Sequence, residues 1–136
     1  MPASMSAPRA VGIDFGTTNS VIAITGDGAI DAGASRLVDF AAPDGSGSVF
    51  RSALCFWEED ARMGGLGHEA GPWAIAEFLD FPQGSRFLQS FKSVSASSTF
   101  EHATLFDRKL RFEELGQLFI EHMIARSGGA LSNLPE

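Results

Sequence analysis

Residues 10–25 have the sequence AVGIDFGTTNSVIAIT, in which a polar turn that begins with glycine separates two apolar segments. Residues 10–15 and 20–25 are rich in the apolar and β-branched side chains that strands favour. Because only residues 16–19 connect these segments, the pattern predicts a β-hairpin. A third strand within residues 30–40 would extend the hairpin to an antiparallel meander, in which we expect the first strand to be buried on both faces.

Further along the chain, short strand-like segments alternate with breaks rich in glycine and proline. The composition predicts a loop over residues 41–48, a strand over 52–57 and another break at 64–67. Pro72 suits the first turn of a helix, which we expect to end near Asp80. These segments indicate a mixed α/β chain.

The later segments predict a hairpin followed by a helix. Residues 105–112 alternate apolar and charged side chains, which is typical of a hairpin or an edge strand. Residues 113–126 begin with two acidic side chains and end with a basic one, as the helix dipole favours. An apolar stripe with helical spacing runs along this segment and consists of Leu115, Leu118, Phe119 and Met123.

The composition is that of a folded domain with an acidic surface. Of the 136 residues, 44% are hydrophobic and 20% are charged, and the formal net charge is −7. This charge argues against a nucleic-acid partner, because binding of a phosphodiester backbone needs clustered Lys and Arg. No segment approaches the roughly 18 apolar residues of a membrane span, so no membrane partner is expected. Cys55 is the only cysteine, which favours a cytoplasmic location without disulfides.

The turn at residues 16–19 has the residue types that hold a phosphate group. Gly16 lets the backbone approach a ligand closely, and the N–H groups of Thr17, Thr18 and Asn19 can form a small anion nest. The two threonine hydroxyls add donors. Asp14, at the end of the first strand, could accept a hydrogen bond from a water molecule of hydrated Mg²⁺. The alternative is an ordinary hairpin with a polar tip.

Other phosphate-binding motifs do not match. The sequence contains no G-x-x-x-x-G-K-[ST] segment, which excludes a P-loop of that type. A Rossmann fingerprint is excluded as well, because the glycine spacing differs and a strand follows the turn where that motif needs a helix. The pattern therefore favours a hairpin type of phosphate site.

Residues 11–24 resemble the first phosphate motif of the actin-like ATPase superfamily, and the Thr-Thr-Asn-Ser form is most similar to the DnaK-type heat-shock chaperones. Residues 90–93, Ser-Phe-Lys-Ser, are closer to the YegD-like branch than to DnaK. Arg51 stands where the family usually has proline before the serine of its next strand. The later segments that resemble the family, in the family's order, are residues 50–56, 63–70, 87–93 and 110–130.

The resemblance implies an α/β fold, the ribonuclease-H-like lobe of an actin-like ATPase, and ATP or ADP with Mg²⁺ as its cofactors. It implies that Thr17 and Thr18 hold the β- and γ-phosphates and that Asp14 acts on the magnesium shell. It also implies that Lys92 is a catalytic lysine, which would offset charge at the γ-phosphate or the attacking water. A solvated surface lysine is the alternative for Lys92.

The resemblance also suggests how the chain is organised. Residues 1–9 would be a flexible leader and residues 10–136 the N-terminal part of a nucleotide-binding domain, with an inserted subdomain at about 41–100. The family's second phosphate motif and adenosine pocket would lie in a further segment. We therefore expect a fragment of a chaperone-like ATPase that binds ATP weakly and does not hydrolyse it alone. An open sheet edge would favour a homodimer of the isolated chain, and its client or partner protein is unknown.

Two alternative functions remain open. A sugar or acetate kinase of the same superfamily would share the hairpin, but such kinases usually place an arginine shortly after it, and residues 20–25 contain none. A non-enzymatic actin-like scaffold that uses nucleotide as a switch is excluded by no sequence feature.

Three histidines and the single cysteine are weaker candidates for chemistry. His68, His102 and His122 are far apart in the sequence, and no pair has metal-ligand spacing. We expect His122 at the rim of the core or partly buried, and Cys55 and Trp73 as packing residues.

Overall fold

The computed structural model describes residues 10–25, 35–43, 45–59, 65–89, 102–106 and 108–128. In these ranges the chain forms antiparallel sheets and two helices, so the expected mixed α/β class is confirmed. The strands are β1 (Ala10–Phe15), β2 (Asn19–Thr25), β3 (Ser35–Leu37), β4 (Phe40–Ala42), β5 (Gly45–Gly47), β6 (Phe50–Arg51), β7 (Ala53–Glu58), β8 (Leu66–Ala70), β9 (Ser85–Gln89), β10 (His102–Leu105) and β11 (Arg108–Arg111). The helices are α1 (Gly71–Asp80) and α2 (Phe112–Ala125).

The first sheet is built around β2. This strand pairs with β1, β3 and β6, and each pairing is antiparallel. Ser20, Ile22 and Ile24 are buried while the alternate residues of β2 are more exposed, because one face of the sheet packs on the core. The predicted hairpin and the meander of β1, β2 and β3 are thus confirmed.

The first strand lies at an edge of this sheet, and the prediction that it is buried on both faces is wrong. Within the described ranges only β2 pairs with β1, and four of the six β1 residues are exposed. Ile13 is 40% exposed although its partner Ile22 is fully buried. An apolar composition sets the β-preference of a segment, but burial depends on which elements come to cover it.

A second sheet has β7 in its centre, between β8 and β9. The predicted strand at 52–57 is confirmed by β7, and the predicted helix is confirmed by α1. The predicted break at 64–67 is wrong from Leu66 onward, since Gly67 lies in β8 opposite Trp57. A Cβ at Gly67 would overlap the Trp57 indole, so this glycine permits close cross-strand packing and does not interrupt the strand.

The remaining elements are two short hairpins and the second helix. β4 and β5 pair with each other, so the loop predicted over 41–48 contains a two-stranded hairpin. β10 and β11 form a hairpin that begins three residues before the segment 105–112, where the sequence predicts a hairpin or an edge strand, and α2 confirms the predicted helix. Leu115, Phe119 and Met123 of the predicted stripe are buried, which shows that this face of α2 packs on the core.

Aromatic rings connect the first sheet to both helices. The ring centroid of Phe50 lies 4.9 Å from Phe40, 6.1 Å from Trp73 of α1 and 5.4 Å from Phe119 of α2. Phe119 also stacks on Phe15 at 5.0 Å. Because Phe15 ends β1 and Phe50 begins β6, these contacts support the sheet at the β1–β2 turn.

In the described part of the chain, neither helix is long and apolar enough to cross a membrane. The predicted subdomain boundaries and the predicted homodimer stay predictions.

Candidate functional site

The turn between β1 and β2, residues 16–19, is tight at its first residue. Phe15 and Ser20 form the closing pair of the ladder. A Cβ on Gly16 would overlap the carbonyl oxygen of Asn19, so a larger residue would force the turn to change. Position 16 therefore requires glycine in this structure. The atom that a Cβ would overlap belongs to the backbone of the turn itself.

A buried serine from outside the hairpin binds this turn. The Ser52 hydroxyl donates to the carbonyl oxygen of Gly16 at 2.7 Å, and the Ser52 N–H donates to the carbonyl oxygen of Thr18 at 2.9 Å. The hydroxyl oxygens of Ser20 and Ser52 are 2.8 Å apart. Since the Ser52 proton goes to Gly16, Ser20 donates to Ser52. Both serines are almost fully buried, at 0% and 1% exposed, and both hydroxyls are satisfied.

The contacts of Ser52 leave backbone donors of the turn unused. Thr17, Thr18 and Asn19 are exposed. Within the described ranges, the N–H groups of Thr17 and Thr18 donate to no protein acceptor. Unpaired N–H groups of successive residues in a turn can together donate to an anion. The turn therefore has the donors that a phosphate group needs.

Asp14 lies close to the end of β1 that meets the turn. It pairs with Val21 in the ladder and is exposed. No donor from the described part of the chain contacts its carboxylate. A carboxylate with free lone pairs suits the waters of hydrated Mg²⁺, which keeps several of them when it binds to proteins. Among the described residues, no group of three or more His, Cys, Asp or Glu side chains could hold a metal directly, and an outer-shell contact through water would not require one.

The predicted catalytic residue Lys92 lies outside the described residues, and its role stays a prediction. The structure instead brings another basic residue, Arg51, close to the turn. The sequence shows this residue only as a departure from the family pattern. Arg51 of β6 is the ladder partner of Asn19, so it lies beside the turn. No local signal indicates this, because the pairing joins strands from separate parts of the chain.

A second polar cluster joins β8 to α2. His68 Nδ1 lies 2.7 Å from His122 Nε2, and His122 Nδ1 lies 3.5 Å from Glu69 Oε1. Arg126 Nη2 donates to Glu69 Oε2 at 3.1 Å, and its guanidinium lies 4.1 Å from the ring centroid of Trp73. We call His68, Glu69, His122 and Arg126 the β8–α2 cluster.

The protonation of this cluster follows from its burial. Burial is the largest cause that lowers the pKa of His122, and the neighbouring His68 lowers it further, whereas Glu69 acts in the opposite direction. A hydrogen bond between two imidazoles needs one N–H and one lone pair, which a neutral His122 can provide. His122 is half-buried, as predicted. The sequence spacing does not indicate the contact between His68 and His122, because folding brings together residues that are 54 positions apart.

Cys55 is fully buried in β7. Burial raises the pKa of its thiol, which disfavours the reactive thiolate. The expectation of a packing residue is confirmed.

Comparisons with protein-family models, with curated proteins and with solved structures gave no match. The resemblance to actin-like ATPases therefore stays a prediction from the sequence.

Proposed function

We propose that residues 16–19 bind the phosphate groups of a nucleotide with Mg²⁺, in a ribonuclease-H-like lobe of an actin-like ATPase related to DnaK-type chaperones. One observation carries the proposal. Ser52 donates to the carbonyl oxygens of Gly16 and Thr18, while Thr17 and Thr18 are exposed residues whose N–H groups are unpaired in the described part of the chain. Such donors bind anions without side-chain charge, which fits an acidic chain.

The proposed roles follow from the atoms at the turn. The N–H groups and hydroxyls of Thr17 and Thr18 donate to phosphate oxygens, and Asp14 accepts from a water of the metal shell. When bound, Mg²⁺ neutralises part of the charge on the phosphates. Lys92 would offset charge that develops at the terminal phosphate. The chaperone part of the proposal rests on the Thr-Thr-Asn-Ser form of the motif.

For this chain alone we expect weak binding without hydrolysis, since its sequence holds one such motif. Isothermal titration calorimetry tests this with MgATP and MgADP. We expect dissociation constants of about 0.1 to 1 mM, which correspond to roughly −5.5 to −4 kcal/mol. An absence of saturable binding at millimolar nucleotide would contradict the proposal, and steady phosphate release would contradict the expected inactivity.

Matched variants locate the binding. The double variant T17V/T18V removes two hydroxyls and should weaken MgATP binding about tenfold, since each hydrogen bond contributes about 0.5–1.5 kcal/mol. The control is Thr25→Val, which makes the same change at the far end of the hairpin, opposite Ala10. Equal weakening by the control would place the nucleotide elsewhere.

A further inference from the structure

Strand register brings Arg51 close to the turn. Asn19 and Arg51 are directly opposite in the antiparallel pairing of β2 with β6. The next pair along the chain has the Ser52 N–H bonded to the Thr18 carbonyl oxygen. Because hydrogen-bonded and non-bonded pairs alternate, Asn19 and Arg51 form a non-bonded pair, the type whose side chains are closest. Their Cβ atoms are then about 4.5–5.5 Å apart.

Arg51 and Asp14 lie on one face of the sheet. Ser20 and Phe50 are opposite each other and fully buried, so they define the core face. Asn19 and Arg51, one position away, occupy the outer face and are exposed. Asp14 precedes Phe15, the partner of Ser20 on the core face, and therefore also lies on the outer face.

The two charged side chains flank the central strand. Asp14 is on β1 and Arg51 is on β6, on opposite sides of β2. Two strand spacings of about 4.8 Å and an offset of two residues along β2, about 7 Å, separate their backbones by about 12 Å. Within the described ranges, neither side chain has an ion pair or hydrogen bond.

We propose that Arg51 binds phosphate oxygens at this turn, and that the ligand is a di- or triphosphate carrying a divalent cation. This inference rests on the proposed function and adds to it. A guanidinium presents paired N–H donors that match two phosphate oxygens, and it is always charged. Asp14 faces the metal shell from one side of β2, and Arg51 faces the phosphates from the other. A single phosphate group cannot span both positions, whereas a polyphosphate with its cation can.

The proposal gives Arg51 a role that depends on its position beside the turn and not only on its positive charge. The test measures binding of magnesium tripolyphosphate and of orthophosphate by calorimetry. Arg51→Gln should weaken binding of the tripolyphosphate about tenfold or more, since a hydrogen bond to a charged group is lost. Arg51→Lys should have an intermediate effect, because lysine is a point charge without the paired donors. The control Lys109→Gln removes the same charge from an exposed position on β11, in another sheet, and should change binding less than about twofold.

Each result has one meaning. If the natural chain binds no phosphate compound, the proposed function fails. If it binds magnesium tripolyphosphate and R51Q binds it equally well, the Arg51 proposal fails and the proposed function stands. Equal weakening by R51Q and K109Q would show an effect of net charge and overturn the role of Arg51. Orthophosphate bound as tightly as tripolyphosphate would overturn the ligand class. Thermal melting of each variant verifies folding, and a well-folded R51K keeps the test decisive if R51Q is destabilised.

Discussion

The β1–β2 turn and the β8–α2 cluster both use polar groups to join distant segments, but they use different chemistry. At the turn, Ser20 and Ser52 supply hydroxyls and Gly16 and Thr18 supply carbonyl oxygens. None of these groups titrates near neutral pH. In the β8–α2 cluster, the contacts are made by two imidazoles, a carboxylate and a guanidinium.

Because of this difference, the geometry of the turn does not depend on protonation, whereas the geometry of the β8–α2 cluster does. Neutral hydroxyls and backbone carbonyls fix the turn at any moderate pH, which suits a site whose donors must stay in place for an anion. The contacts of His122 depend on its charge. We therefore expect changes at the turn to alter both stability and ligand binding, and changes in the cluster to alter stability and its pH dependence.

Phe119 connects α2, the helix that carries His122, to the β1–β2 turn, and its loss should have the largest effect. Its ring stacks on Phe15 next to the turn and contacts Phe50, which precedes Arg51. Phe119→Ala leaves a cavity in the core and should lower the free energy of unfolding by about 3–5 kcal/mol, measured by urea denaturation. Leu79→Ala is the control, since Leu79 is 71% exposed, and should cost no more than about 0.5 kcal/mol. Similar losses in the two variants would contradict the central position of Phe119.

Ser52→Ala should have the next largest effect. It leaves the Gly16 carbonyl oxygen and the buried Ser20 hydroxyl without their partner, which costs about 1–3 kcal/mol. Because the turn then loses one of its two contacts with residue 52, MgATP binding should weaken as well. The control Ser35→Ala removes an exposed hydroxyl from β3. Unchanged nucleotide binding in a destabilised S52A protein would show that the turn needs no support from Ser52.

Glu69→Gln tests the ionised cluster. The variant replaces the charged acceptor of Arg126, and because both groups are partly exposed the loss should be about 1 kcal/mol. Glu69 raises the pKa of His122, so the variant should lower that pKa further, as measured by NMR titration of the imidazole. Glu58→Gln on β7, at an exposed carboxylate, is the control and should leave the His122 titration unchanged. A rise in the pKa of His122 in E69Q would contradict the assigned electrostatics.

Local features of the turn could be predicted from the sequence. Contacts that depend on the register between distant strands could not. A short polar turn between two apolar segments suffices to predict the hairpin and the position of Gly16. The contact of Ser52 with Gly16 depends on how β6 aligns with β2 across 36 positions of the chain. The meeting of Arg51 with Asn19 has the same origin. These contacts depend on three-dimensional packing, which leaves no periodic trace in the sequence.

The exposure of β1 has a related cause. The apolar composition of residues 10–15 predicts a β-strand, and from it we expect burial on both faces. Whether a second strand or a helix covers each face depends on the other elements. In the described structure Phe15 is covered by Phe119, while Ile13 remains 40% exposed.

The smallest expected effect is a loss of stability in mild acid, and its sign follows from His122. In the unfolded chain a histidine titrates near its ordinary pKa of 6.5, whereas burial lowers the pKa of His122 in the folded protein. The unfolded chain therefore binds this proton first as the pH falls. The stabilisation is fully present above pH 6.5 and is lost as the pH falls towards the lower pKa of the folded state. Urea denaturation between pH 7.5 and 5 measures this loss.

The variant His122→Gln should be less stable at pH 7.5 but show a flatter pH dependence, since the titrating group is gone. Ser52→Ala should keep the slope of the natural protein, because no titrating group is removed from the β8–α2 cluster. Nucleotide binding by H122Q should follow the same pH profile as that of the natural protein, since the turn contains no titrating contact with that cluster. If H122Q instead shifted the pH profile of binding, the two regions would be coupled, and the separation between a neutral site and an ionised cluster would be wrong.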